Sequence, residues 1–192
     1  MSPPPAALPV EFREVVSSSA PALAAAMGQE GDLAAERFAR GCRCFAAWLG
    51  PDVIAYGWLS TRAEWIGEVE LEIEPGRGEA YLWNCVTLPA HRKKGMFRAL
   101  LFSIAAQAKE EGLVRLWIGS IGAVGEKAIA EAGFLPVLRI DVLSLPWLRR
   151  LMVRAADGAD PGSVAAARQA LADRGRPLRL SSSVRRARSR RH

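Results

Sequence analysis

This sequence predicts an α/β (α+β) fold: a single mixed, mostly antiparallel central sheet flanked by helices. Three observations lead there. Apolar runs of strand length occupy Cys42–Leu49, Val53–Ser60 and Ala80–Leu88. One long segment of helical period, Gly95–Gly112, follows them. Shorter strand and helix patterns then alternate as far as Leu145, and strands mixed with helices in this order argue for one mixed sheet.

Taken in order, residues 1–8 are rich in Pro and Ala and are expected to fray. Val10–Val16 alternates apolar and charged residues, as a half-buried strand does. Helical stretches follow at Pro21–Gly28 and Asp32–Arg40, with Asp32 as N-cap and Gly41 as stop. Gly50-Pro51-Asp52 separates the first two apolar runs, which is a hairpin signal. Thr61–Gly78 is charged and irregular and reads as a loop or a short excursion. Beyond the long helix come a strand (Val114–Ile118), a short helix (Glu126–Ala132) and a strand (Phe134–Leu145). Leu145–Ala156 and Ser163–Asp173 read as C-terminal helices. The expected organisation is a domain over 9–145, a helical extension over 146–180 and a disordered basic tail over 181–192.

Half of the 192 residues are hydrophobic, so the chain can bury a sizeable core. No apolar run approaches the ~18–20 residues of a membrane-spanning helix, and no secretory signal pattern opens the chain. Cys42, Cys44 and Cys85, with His91 and His192, do not make a disulfide framework or a metal site. A cytoplasmic protein without metal is expected. The net charge of +6 belongs to the tail, because Arg185, Arg186, Arg188, Arg190 and Arg191 leave only +1 for the preceding residues. Nucleic acid is therefore not the expected partner.

The segment Cys85-Val86-Thr87-Leu88-Pro89-Ala90-His91-Arg92-Lys93-Lys94-Gly95-Met96-Phe97-Arg98 carries the sharpest chemical signal. A strand ends at proline, a basic turn with one glycine follows, and an amphipathic helix begins. Backbone N–H groups of such a turn and helix N-terminus suit a pyrophosphate. The same pattern also suits an ordinary strand–helix connection.

Strand-Thr87-Leu88-Pro89-x-x-Arg92-x-x-Gly95-x-Phe97, then helix, strand and Gly133-Phe134, resembles the GNAT N-acetyltransferase superfamily. Members bind acetyl-CoA through a turn written Gln/Arg-x-x-Gly-x-Gly/Ala. The resemblance covers Val10 to Leu145 and implies acetyl transfer from acetyl-CoA to an amine on a small molecule or peptide. By position, the backbone of Cys85, Val86 and Thr87 would face the pantetheine amides. Arg92, Lys93, Lys94, Gly95, Met96, Phe97 and Arg98 would wrap the pyrophosphate, and Trp83 and Asn84 would sit where the strand splays. Phe97 stands where the family has a small residue. The family's Asn and its thiolate-protonating Tyr fall near Gly122 and Ile129, which donate no proton. That departure keeps a second reading in view, a catalytically silent CoA-binding module.

Two residues are candidates for proton chemistry. Glu79, Tyr81, Trp83 and Cys85 are expected to share one strand face. Glu79 is a candidate base or a strand-entry charge, and Tyr81 a candidate proton donor or a core tyrosine. Glu64, Glu68, Glu70, Glu72 and Glu74 could draw in a cationic amine or form a solvated face. Trp58 and Trp65 could wall an acceptor pocket or belong to the core, and Cys85 reads better as a buried thiol than as a nucleophile. Peripheral membrane contact through 145–154 and a homodimer both stay open.

Overall fold

The computed structural model describes residues 9–145, 148–173 and 176–177. The expected frayed N-terminus and arginine tail lie outside these residues, as do 146–147, 174–175 and 178–180 of the expected extension. The chain divides into two compact units, one of residues 1–64 and 75–134, the other of residues 65–74 and 135–192.

The first unit is built on a five-stranded sheet. β1 (Val10–Glu14), β2 (Arg43–Leu49), β3 (Asp52–Ser60), β6 (Glu79–Thr87) and β7 (Arg115–Ile118) lie side by side in that order. Every pairing is antiparallel except β6 with β7. The β2–β3 hairpin turns where Gly50-Pro51 was expected to turn it. α1 (Ala20–Met27) and α2 (Leu33–Ala39) connect β1 to β2, α3 (Met96–Glu110) connects β6 to β7, and α4 (Gly122–Glu131) follows β7. Asp32 occupies the N-cap of α2, though its side chain makes no cap hydrogen bond.

The strands alternate, so the sheet buries both faces. One face packs Cys44, Ala46, Trp48, Tyr56 and Trp58 with Leu23, Met27 and Ala34 of the first two helices. The other packs Phe45, Ala47, Ile54, Leu59 and Leu82 with Leu100, Leu101 and Ile104, the apolar stripe of α3. Arg43 fastens this layer, donating to Glu14 of β1 at 2.6 and 2.8 Å and to Glu111, just past α3, at 2.5 and 2.7 Å.

The second unit holds β4 (Glu64–Ile66, whose first residue belongs to the first unit), β5 (Leu71–Ile73), β8 (Leu138–Leu145), β9 (Leu148–Ala155), α5 (Pro161–Ala170), β10 (Leu171–Asp173) and β11 (Arg176–Pro177). The segment read as a loop or a short excursion at Thr61–Gly78 contains two short strands. Leu145–Ala156 is not a helix as expected. It supplies β9, paired antiparallel with β8 in a two-stranded sheet in which Ile140 faces Val153 and Val142 faces Leu151. Residues at near-helical spacing become a strand here because an adjacent strand of matching alternation offers cross-strand partners. β8 accordingly pairs with β9 and is not a member of the five-stranded sheet. The last expected helix forms over Pro161–Ala170, with Asp160 capping the Ser163 N–H at 2.7 Å, and gives way to β10.

Candidate active site

β6 carries a bulge in its middle. Tyr56 faces Val86 and Trp58 faces Trp83, so two residues of β6, Asn84 and Cys85, lie opposite Gly57. Asn84 takes a left-handed φ of 44°, which Asn tolerates better than most residues. A Cβ on Gly57 would lie 2.8 Å from the Cys85 Sγ, so this close approach requires glycine.

The bulge changes which residues share a face. Glu79, Tyr81 and Trp83 do lie together, opposite Arg115, Trp117, Ser60 and Trp58. Cys85 does not join them, because the extra residue reverses the alternation and sends it to the α3 side. Val86 moves to the α1–α2 side instead. Burial pushes the Cys85 thiol up to about 12, so it is no nucleophile at neutral pH.

The bulge also coincides with the end of a neighbour. β7 pairs with β6 only from Glu79 to Leu82, and β3 continues alone beside Trp83–Thr87. On the β7 side that stretch has no ladder partner, although the Thr87 carbonyl is taken by the Arg92 side chain.

Past Thr87 the chain makes a short 3₁₀ turn at Pro89–His91 and then a basic turn into α3. Arg92 donates through Nε to the Thr87 carbonyl at 3.1 Å, and Lys94 donates to the Ala90 carbonyl at 2.9 Å. These two side chains brace the turn. Lys93 and Gly95 both have positive φ, 60° and 75°, and Gly95 is the N-cap of α3. No side chain caps that helix, so its first N–H groups and the +0.5 end of its dipole face outward. Lys93, Lys94 and Arg98 are exposed, while Met96 and Phe97 pack under the helix against the α3 face of the sheet. Phe97 is accommodated half-buried against that core.

Glu79 is buried and fully engaged. Trp117 Nε1 donates to it at 2.7 Å, the Gly76 N–H at 3.2 Å, and the Arg115 guanidinium pairs with its other oxygen. Burial works to raise its pKa, but these hydrogen bonds outweigh it and hold the carboxyl below its ordinary value. Tyr81 is buried on the same face, with its hydroxyl 3.9 Å from where a Cβ on Gly119 would lie. Ile129 packs with the α3 core, and Gly122 has no side chain to offer.

Sequence reasoning missed one group at the bulge. Glu30, in the 3₁₀ turn Gly28–Glu30 between α1 and α2, accepts from Asn84 Nδ2 at 2.8 Å and from Arg37 NH2 at 3.0 Å. Arg37 is buried and its guanidinium carbon lies 4.5 Å from the Trp83 ring centroid and 5.2 Å from that of Trp58. The only sequence signal was Asn84, a polar residue between Trp83 and Cys85 in the middle of the strand. Of the other candidates, Glu68, Glu70, Glu72 and Glu74 are exposed and Glu64 is buried, bound by Arg40 and Cys42. Trp58 is core, and Trp65 in the second unit is exposed.

The sequence profile of the Acetyltransferase (GNAT) family matches residues 12–131. The chain belongs to this family. No curated protein matches the sequence. Among solved structures, an acetyltransferase from Trypanosoma brucei is similar at TM-score 0.52 and 15% identity, over 71% of this chain and 100% of that one. An aminoglycoside N-acetyltransferase in complex with CoA is similar at 0.51 and 14%, over 73% and 98%. A glucosamine-6-phosphate N-acetyltransferase from Arabidopsis thaliana is similar at 0.51 and 10%, over 72% and 99%. Identities this low speak for the fold. In this GNAT chain the β6 bulge, the open strand edge and the turn into α3 all fall inside the matched residues. Among the described residues no helix is long and apolar enough to cross a membrane.

Proposed function

We propose that this GNAT protein transfers an acetyl group from acetyl-CoA to an amine of a small molecule or peptide. One observation carries the proposal. The strand edge that opens beyond Leu82 leads through the bulge directly into the left-handed turn at Lys93–Gly95 and the uncapped N-terminus of α3. A strand edge is suited to the amides of a pantetheine arm, and an uncapped helix start to a pyrophosphate. The residues present fit such a ligand: apart from its chain neighbours and the adjoining helix backbone, nothing stands within 4 Å of where a Cβ on Gly95 would be, so a phosphate can approach the backbone.

In this reading the backbone of Cys85, Val86 and Thr87 holds the pantetheine arm. The N–H groups from Lys93 to Arg98 hold the pyrophosphate, with the Lys93, Lys94 and Arg98 side chains adding positive charge. Arg92 acts indirectly, by fixing the turn to Thr87. Acetyl-CoA supplies the acyl group already activated as a thioester. An open N–H of β6 beside the bulge polarises the carbonyl oxygen, and the fixed strand brings amine and carbonyl together. The amine nitrogen bonds to the acyl carbon as the carbon–sulfur bond breaks. An amine that arrives as an ammonium first loses one proton to solvent to free its lone pair, and after attack it loses a second, through a donor, to the departing thiolate. Tyr81 is the phenol on β6 for that donor role. Glu79, with both oxygens engaged, is assigned to anchoring the start of β6 against β7.

Ile129 in the core favours one rival, a CoA binder that has lost its acid and is silent. A single assay separates the two. Thiol release from acetyl-CoA is measured with a panel of aminoglycosides, amino sugars, polyamines and peptides. Amine-dependent release establishes transfer, and a CoA-induced rise in melting temperature without release on any amine establishes the silent binder.

A further inference from the structure

We infer that Glu30 is the residue that receives the acceptor amine, as an ammonium, at the β6 bulge. The inference deepens the transferase reading and rests on it. Glu30 Oε2 is committed to Asn84 and Arg37, while Oε1 has no partner among the described residues. The Glu30 side chain is 51% exposed, whereas that of Arg37 is 8% exposed. One oxygen is thus tied inward and the other faces an approaching cation.

The supports of this carboxylate are unusually firm for a loop residue. Arg37 is a buried cation over the Trp58 and Trp83 rings, and a buried charge demands a counter-charge. Glu30 is the carboxylate it pairs with. Asn84 reaches it from the bulge itself, where β6 has lost its β7 neighbour. Arg37 and Asn84 therefore act as positioning residues, holding Oε1 beside the strand edge assigned to the thioester. An ammonium on Oε1 gains a charge-assisted hydrogen bond, and its nitrogen is then next to the acyl carbon without further search. The chemistry selects primary amines that are protonated near neutral pH over neutral amines.

The test compares n-butylamine, cationic at pH 7, with aniline, neutral at pH 7, as acetyl acceptors for wild type and Glu30→Gln. The variant is expected to raise KM for butylamine roughly ten- to a hundredfold, the loss of one charge-assisted hydrogen bond. KM for aniline and the CoA-induced rise in melting temperature should stay near wild type. Asn84→Ala should raise the butylamine KM by a smaller factor, because Arg37 still holds Glu30. If Glu30→Gln does not fold, Glu30→Asp keeps the charge for Arg37 but withdraws the carboxylate by one methylene, and the same rise is expected. An unchanged butylamine KM overturns the inference, as does an equal rise for both amines. Butylammonium binding to the CoA-loaded protein is followed by NMR in parallel. Wild type that turns over neither amine overturns the transferase reading for these acceptors. Binding that is lost in Glu30→Gln then still supports Glu30 as the ammonium site, and binding that is unchanged overturns it.

Discussion

The Cys85 thiol lies where a side chain on Gly57 would begin: a Cβ there would stand 2.8 Å from its sulfur. The contact exists because β6 carries one residue more than β3 between their flanking pairs, which presses Cys85 onto the facing strand. The bulge, the left-handed Asn84 and the open edge beyond Leu82 are thus one feature, and Gly57 is the residue of β3 that permits it.

Gly57→Ala should therefore destabilise the protein by about 1–3 kcal/mol, the usual cost of overpacking a core. Removing the sulfur should relieve it. In Gly57→Ala/Cys85→Ala the next contacts of the new methyl are Ile104 Cδ1 at 3.4 Å and the residue 85 Cβ at 3.7 Å, both tolerable. Urea unfolding of the two single variants and the double completes the cycle, with a favourable coupling expected. Additive losses would mean that the sulfur is not the obstruction.

Gly95→Val tests the turn. A β-branched residue at φ 75° costs roughly 1–3 kcal/mol in strain. No side chain crowds the position, so the chain should still fold. The rise in melting temperature on adding CoA should nevertheless disappear, since the left-handed turn that presents the amides is lost. A CoA shift of wild-type size in this variant would place the pyrophosphate elsewhere.

How much of this was legible in the sequence depends on whether a feature changes composition or only geometry. The α3 stripe of Leu100, Leu101 and Ile104 and the hairpin at Gly50-Pro51 announce themselves by period and turn residues, and both are where they were expected. The bulge is different, because a strict period of two continues through Trp83 and Cys85 on paper while the backbone inserts a residue between them. Only the family resemblance, which put a splay of the strand at Trp83 and Asn84, pointed to it. The β8–β9 hairpin was misread for a related reason: Leu148–Ala155 has apolar residues compatible with either period, and its partner strand decided the outcome. Glu30 was invisible because its importance arises from Asn84 and Arg37, which only the fold brings to it.

Acid should loosen the α3 end of the first unit. The Arg43 guanidinium, and then the Gln107 amide, hold Glu111 down at about 2, against about 4.3 for an ordinary glutamate. A lowered folded-state pKa adds stability that is complete above the unfolded value and disappears as pH falls through the folded one. The loss should run from about pH 4.5 to pH 2. Because the Glu111 side chain is about a third exposed (32%), solvent screening leaves the pair worth roughly 1 kcal/mol. Glu111→Gln should be less stable than wild type by that amount at pH 7 and equal to it near pH 2, as followed by urea unfolding. A constant difference across this range would show that ionisation of Glu111 is not what the pair contributes.

Glu79 and Tyr81 share a strand face but are assigned different work, and one pair of variants separates them. Glu79→Gln leaves Arg115 without its counter-charge and weakens the hydrogen bond from Trp117. Stability should fall by about 1–3 kcal/mol, the cost of disturbing a charged hydrogen-bonded group. If anchoring is its only role, kcat should change by less than about threefold, far below the ~10²–10⁴ of a general base. The acidic limb of the pH–rate profile should also stay in place, because the proton acceptor has not been altered. Tyr81→Phe keeps the ring in the core and removes only the hydroxyl. Its stability should move by no more than about 1 kcal/mol, the value of one hydrogen bond. If Tyr81 protonates the thiolate, kcat should drop by a factor of roughly 10² while CoA affinity holds. Equal kcat in wild type and Tyr81→Phe across pH 6–9 would leave water as the proton source. A Glu79→Gln enzyme that folds well but has lost its acidic limb would instead return Glu79 to the role of base.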